Sequence, residues 1–193
     1  MKISMLSGLD IISNDQFAIH GMVKFLLENG LYRNYSPDIK NVNCCIIIST
    51  SKNLIDSYCF LSMQMRFLAL YDFLLFIGTP ASTSLMKGIM QEKTFYLSVY
   101  DELDSFLHNF NIFFSHFIHA RRKRSHKVKN TLTVMQGKVV RYISTGVSMQ
   151  KISELLGVNV KTISSHKISA MRKMHSMNNV VFLLKCKLFR KID

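Results

Sequence analysis

Three histidines, His108, His116 and His119, follow one another at intervals of eight and three residues, a pattern that invites a metal-ligand reading. No carboxylate or thiol extends the series, so imidazoles scattered over a helix are the expected outcome. Serine, histidine and aspartate all occur, yet no Gly-x-Ser-x-Gly elbow presents a nucleophile. No Gly-x-Gly-x-x-Gly or P-loop sequence is there to cradle a phosphate. The four cysteines (Cys44, Cys45, Cys59, Cys186) form no Cys-x-x-Cys pair, which argues against a zinc module or a disulfide scaffold and suits a reducing cytosol. These types and spacings predict no enzyme, no metal and no cofactor.

Cations are the residues with chemistry to do, and their placement is uneven. Residues 1–120 hold eight Lys/Arg and ten Asp/Glu, whereas residues 121–193 hold seventeen Lys/Arg and only Glu154 and Asp193 as acids. The net charge of +13 therefore resides wholly in the second part of the chain. A near-neutral half joined to a strongly basic half fits a sensing or docking domain attached to a polyanion binder, and nucleic acid is the expected polyanion rather than a membrane surface. The longest apolar stretch, Phe67 to Ile77, is short and contains Asp72, which predicts no membrane span. Lys2 and Asp10 make the amino terminus a poor signal peptide.

Within the basic half, Thr133 can cap a helix running to about Thr145 with Met135, Val139, Tyr142 and Ile143 inward, and Gly146 suits a left-handed cap after it. Ser148 caps Met149 to Leu156, Gly157-Val158-Asn159 makes a tight turn, and Asn159 caps a third helix from Val160 to about Met174. Two short helices across such a turn predict a helix-turn-helix. At about 100° per residue, Val160, Ile163, Ala170, Met171 and Met174 share an inward stripe. Lys161, Ser165, Ile168, Ser169 and Arg172 point away, with Thr162 and Ser164 on the flanks. From Gly157 to Lys191 there is no acid. An ordinary solvated face would mix glutamates with its lysines; small hydroxyls with cations alone suit the floor and walls of a DNA major groove.

The residues Leu132-Thr133, Gly146, Ile152, Leu155, Gly157-Val158, Lys161-Thr162-Ile163, His166 and Met171-Arg172-Lys173-Met174 resemble the C-terminal DNA-binding domain of LuxR/FixJ-type transcription regulators. The resemblance implies a four-helix domain whose third helix enters the major groove and whose fourth, here Asn179 to Phe189 with Val180, Val181, Leu184 and Leu188 on one side, helps dimerise. Carried over by position, Ser164, Ser165 and Ile168 would read bases, while Lys161, Thr162, His166 and Lys167 would position the backbone, with Arg172 among the contacts. Gln136 and Lys151 stand where the family usually has glutamate, which removes acid pairing inside the domain.

Upstream, Phe17 to Glu28 carries a helical stripe, Asn43 to Thr50, Phe73 to Ile77 and Thr94 to Val99 look like buried strands, and a helix is expected from near Asp101 to about His119. Leu54 to Leu70 fits one helix or two pieces. Strands alternating with helices predict a parallel α/β sheet. The twelve methionines and the run Phe110 to Phe117 are expected to fill the core rather than a dimer surface. In the family the first half is often a receiver that holds Mg²⁺ on an acidic pair and accepts phosphate on aspartate. Here the corresponding positions are Ser13, Asn14 and Ser49, and Val99 replaces the expected lysine. A hard cation needs carboxylates and an aspartyl phosphate needs an aspartate, although a shifted register would bring in Asp10 or Asp15.

The expected organisation is an α/β degenerate receiver-like interaction domain (1–120), a basic linker (121–130, with Arg121, Arg122, Lys123, Arg124, Lys127 and Lys129) and an all-α four-helix LuxR-type helix-turn-helix domain (131–193). The expected function is a cytoplasmic, non-enzymatic regulator binding double-stranded promoter DNA. It would act as a homodimer or as a heterodimer with a LuxR-type response regulator, in the manner of the auxiliary regulators of enterobacteria. RNA polymerase is a further candidate partner. The alternatives are a phosphorylatable response regulator and an interaction module that modulates a partner regulator.

Overall fold

The computed structural model describes residues 2–6, 8–29, 43–89, 94–120 and 132–192; the expected basic linker falls outside them. The chain divides into two compact units, one comprising Met1–Thr83 with Glu92–Lys127 and the other Ser84–Gln91 with Val128–Asp193.

The first unit is built on one sheet. Its elements run β1 (Lys2–Leu6), β2 (Leu9–Ser13), α1 (Gln16–Glu28), β3 (Cys44–Ser49), α2 (Leu54–Leu68), β4 (Phe73–Gly78), the start of α3 (Pro80–Met86), whose residues from Ser84 on belong to the second unit, β5 (Thr94–Ser98) and α4 (Leu103–Ala120). Strands β2 to β5 are parallel neighbours in sequence order, in register Ile11↔Ile46, Ile46↔Leu75 and Leu75↔Phe95. The sheet is thus the predicted parallel one, with an addition: β1 folds back antiparallel on β2, pairing Lys2 with Ile12 and Ile3 with Ile11. Its five residues, Lys2-Ile3-Ser4-Met5-Leu6, are too few to announce a strand by alternation alone. Leu54–Leu68 is one helix, capped by Asn53.

Why the strands are so uniformly apolar follows from the layers. In Cys44-Cys45-Ile46-Ile47-Ile48-Ser49 every residue is buried, because helices cover both faces of a parallel sheet. Cys44, Ile46, Ile48, Leu75, Ile77 and Leu97 form one cluster with Ile19, Met22 and Leu26 of α1 and with Phe110, Phe113, Phe114 and Phe117 of α4. The alternate residues Cys45, Ile47, Leu74 and Phe76 are equally buried, as the two-residue period of a strand requires when the other face is also covered. Helix α2 packs on β3 and buries Phe60, Leu61, Met65 and Leu68. The phenylalanine run of α4 is therefore core: Phe110 meets Phe25 edge-on at 5.2 Å and Phe113 meets Phe95 at 5.3 Å, favourable geometry for aromatic pairs.

The second unit carries α5 (Val134–Ser144), α6 (Met149–Leu156), α7 (Val160–Lys173) and α8 (Asn179–Phe189). Helix α8 is buried over most of its circumference, through Val181, Phe182, Leu184, Lys185, Cys186, Leu188 and Phe189. Of the four residues expected on one side of this helix, Val181, Leu184 and Leu188 are buried, while Val180, in its first turn, is 60% exposed. No helix among the described residues is long and apolar enough to cross a membrane.

Candidate nucleic-acid interface

Four side-chain caps define the helical frame. Thr133 Oγ1 accepts from the Gln136 backbone N–H at 3.3 Å while Gln136 Oε1 accepts from the Thr133 N–H at 2.9 Å, a reciprocal capping box. Ser148, Asn159 and Asn178 cap α6, α7 and α8 through bonds to Lys151, Lys161 and Val181. Gly146 and Gly157 close α5 and α6 at φ of 81° and 64°, a left-handed backbone that side chains with a Cβ rarely adopt. The Ser153 hydroxyl donates to the Val158 carbonyl at 2.5 Å, tying α6 across the turn to the entry of α7. Val139, Ile152 and Ile163, one residue from each of α5, α6 and α7, are fully buried together. The backbone is thus a helix-turn-helix whose second helix is α7.

On α7, Lys161, Thr162, Ser165, Ile168 and Arg172 are exposed, save that Ile168 is only about half so, and Ser164, His166 and Lys167 are half-buried. Ile163, Ala170 and Met174 face inward. Two positions differ from the helical-wheel expectation. Val160, predicted inward, is the first residue of α7 and is 42% exposed. Ser169, predicted outward, accepts a hydrogen bond from Gln136 Nε2 at 2.8 Å and so belongs to the junction between α5 and α7. The Ser165 hydroxyl donates to the Lys161 carbonyl at 3.1 Å, a bond back into its own helix. Lys167 lies on the flank toward α8: burial pushes the Cys186 thiol up to about 12, and the charge of Lys167 works against that rise.

The two substituted family positions are accommodated by other bonds. Gln136, only 5% exposed, completes the cap and reaches Ser169. Lys151 pairs with Glu154 at 2.8 Å, and both side chains stand largely in solvent. Arg141 and Lys138 on α5, both exposed, add positive charge that the helix-turn-helix pattern does not single out; their signal was simply their lack of apolar character on the outer stripe.

The positions that correspond to a receiver's phosphate site make the following bonds. Ser13 Oγ donates to the Ile48 carbonyl at 2.8 Å and accepts from the Asp15 N–H at 3.0 Å. Asn14 Oδ1 accepts from Thr50 N–H at 3.3 Å. The buried Ser49 hydroxyl has no partner among the described residues. Asp10 sits mid-strand, where it pairs with Lys2 at 2.7 Å and accepts from the Tyr71 hydroxyl; burial, and then that bond to Asp10, pushes the tyrosine up to about 12. Asp15 caps α1 by accepting from Phe17 and Ala18. Among the described residues no group of three or more His, Cys, Asp or Glu could hold a metal. His108 and His116 lie on α4 beside Asn111, Ile112 and Ser115 along a shallow open depression.

Comparison with known proteins gives one family and a set of distant structures. Residues 130–184 match the family described as bacterial regulatory proteins, luxR family. No curated protein matches the chain. A structure of two RcsB dimers bound to two parallel DNAs is 14% identical, with 93% of this chain and 97% of that chain covered and a TM-score of 0.46. RcsB from Salmonella enterica serovar Typhimurium bound to promoter rprA is 17% identical over 93% and 98% of the two chains, with a TM-score of 0.43. Full-length FixJ from B. japonicum is 14% identical over 95% and 96%, with a TM-score of 0.32. By its caps, its buried triad and its matched sequence, the segment 130–184 is a helix-turn-helix domain of the luxR family of bacterial regulatory proteins.

Proposed function

We propose that the protein is a cytoplasmic transcription regulator without enzymatic activity that binds promoter DNA through the outer face of α7. The observation that carries this reading is the exposed set Lys161, Thr162, Ser165, Ile168 and Arg172 on the second helix of a helix-turn-helix. No acid stands anywhere from Gly157 to Lys191 to oppose it. Cations on such a helix neutralise phosphates, and the short side chains let it approach the base edges. One short helix reads few base pairs, so the regulator acts as a dimer, either with itself or with a LuxR-type response regulator. It works without phosphorylation of its own: the positions a phosphate acceptor and its metal would use hold Ser49, Ser13 and Asn14, two of which are engaged in backbone bonds.

Gel-shift titration over a range of salt concentrations tests this. Lys161→Ala or Lys167→Ala weakens binding to all sequences alike and lowers the slope of log affinity against log salt by about 1 for each phosphate no longer neutralised. Ser164→Ala instead changes sequence preference by about 1–3 kcal/mol for each base edge no longer read, and Ser165→Ala, whose hydroxyl also bonds the Lys161 carbonyl, changes it by less. If all four variants bind as the unaltered protein does, α7 is not the recognition helix. An intact-mass measurement after incubation with a small phosphodonor tests the second part: a stable, acid-labile adduct would overturn independence from phosphorylation.

A further inference from the structure

Helix α2 presents an apolar face to solvent. Ile55, Met63 and Phe67 are 52%, 64% and 58% exposed, and Leu70, just past the end of the helix, is 74% exposed; Cys59 stands exposed between them. At about 100° per residue these five fall within one arc of roughly 120°, opposite the buried Ser57, Leu61 and Leu68. The stripe is about 20 Å long and offers on the order of 500 Å² of apolar surface, more than the isolated exposed leucines of an ordinary monomer. Only two charges lie on α2, Asp56 in its first turn and Arg66 in its last, and neither is in an ion pair with a described residue.

We propose that this face is a homotypic docking surface, on which α2 of one copy packs antiparallel to α2 of a second copy of the chain. The face is its own complement. A two-fold axis passing at the level of Leu61 sets Asp56 level with the partner's Arg66 at one end and Arg66 level with the partner's Asp56 at the other. A parallel arrangement would set like charges level instead. The same register sets Ile55 level with the partner's Phe67 and Cys59 level with the partner's Met63, so the stripe is matched over the helix itself, while Leu70 falls level with the partner's Lys52. Two such stripes together remove about 1,000 Å² from water, which reaches the lower bound for a specific interface, and one patch meeting itself is the commonest form of dimer. Antiparallel packing also opposes the two helix dipoles.

Cys59 makes the arrangement measurable, because it is the exposed one of the four cysteines. In the proposed register the two Cys59 residues are offset by four positions, about 6 Å along the axis, on helices about 8–10 Å apart. A short bis-maleimide therefore links the full-length protein into a covalent dimer in the absence of DNA, and Cys59→Ser abolishes the link. Sedimentation velocity gives twice the 22.3 kDa mass for the unaltered chain. Met63→Asp and Phe67→Asp, both at exposed positions and checked for unchanged circular dichroism, shift it to the monomer. Asp56→Arg and Arg66→Asp each reduce the dimer, and the two together restore it. The proposal is overturned by a monomeric unaltered chain, or by a dimer that neither aspartate variant disturbs. It is equally overturned if α2 is protected only in a complex with a different regulator. Because DNA is absent throughout, failure here leaves the reading of α7 untouched, and failure of that reading leaves this one standing.

Discussion

Replacing Lys185 with methionine removes a buried charge from the helical unit and leaves three carbonyl oxygens without their donor. Lys185 is fully buried. Its ammonium donates to the carbonyls of Lys87 at 2.7 Å and His175 at 3.0 Å, and to that of Met174. Met174 caps the carboxyl end of α7, so the bond holds the last turn of the proposed recognition helix. Hydrogen bonds to a charged donor are worth about 1.5–3 kcal/mol each, while desolvating an ammonium costs several kcal/mol. The two oppose one another, and the net loss at pH 7 is expected to be only about 1–3 kcal/mol. The pH dependence is the sharper quantity. Burial, and then the charge of Lys87, lowers the lysine from 10.5 to about 8. Between those values the unfolded chain binds the proton and the folded one does not, so stability contributed by this group rises as pH rises through the window. The difference between the unaltered protein and Lys185→Met is therefore flat below about pH 7. It widens toward pH 10 by as much as about 3 kcal/mol. Urea unfolding of both proteins at each pH measures it, since other titrating groups cancel in the difference. A gap that stays constant or narrows with pH would refute the reasoning and show that the three carbonyls hold the charged form.

Other perturbations follow from the same geometry. Gln136→Leu leaves the Thr133 N–H and the Ser169 hydroxyl without their partner and costs about 1–3 kcal/mol in chemical denaturation. Gln136→Glu keeps the acceptor for the Thr133 N–H and loses the donor to Ser169, whose hydroxyl can turn to donate instead, so it costs less; the reverse order would show that the capping box is not what holds α5. At Gly88, φ is 83° and a Cβ would stand 2.5–2.6 Å from backbone atoms of Met174. Gly88→Ala therefore combines left-handed strain with a backbone clash and destabilises by about 2–4 kcal/mol, read as a drop in thermal midpoint. Asp10→Asn removes the charge that Lys2 pairs with. Because that pair raises the lysine, its stabilisation is present below pH 10.5 and fades above it. Faster amide exchange in β1 is the expected readout at neutral pH.

How far residues alone foretold this structure depends on how local each signal was. Helices α5 to α7 were legible because each start has a side chain that caps its own backbone: Thr133, Ser148 and Asn159 make those bonds within three residues; α8 came only with the family resemblance, and its cap, Asn178, was not singled out. Strands β3 and β4 were legible because apolar residues without alternation require cover on both faces. Strand β1 was not, since what makes it a strand is its pairing with Leu9–Ser13 across a hairpin, and five residues carry no period of their own. The short α3 was likewise unannounced. The face of α7 was legible in outline only. A wheel gives direction but not hydrogen bonding, and Ser169 turns inward because a glutamine thirty-three residues earlier reaches it. Nor did the sequence suggest that a buried lysine on α8 would hold the end of α7, because its three acceptors are backbone carbonyls, which every residue has.

These bonds divide the labour proposed for α7. A hydroxyl committed to its own helix, as in Ser165, or to α5, as in Ser169, is less available for a base edge than the sequence suggests. On the proposed reading, discrimination between sequences then rests more on Ser164 and the half-exposed Ile168, whose apolar surface suits a thymine methyl group. Affinity rests on cations that need no fixed geometry, because a phosphate attracts Lys161 or Arg172 whatever base follows it. The replacement of an acid by Gln136 fits the same division. An uncharged amide can cap α5 and bind Ser169 without placing a carboxylate on the DNA-facing domain. The junction of α5 and α7 is therefore held by neutral hydrogen bonds, and the unit's charge is left positive for the polyanion it is proposed to bind.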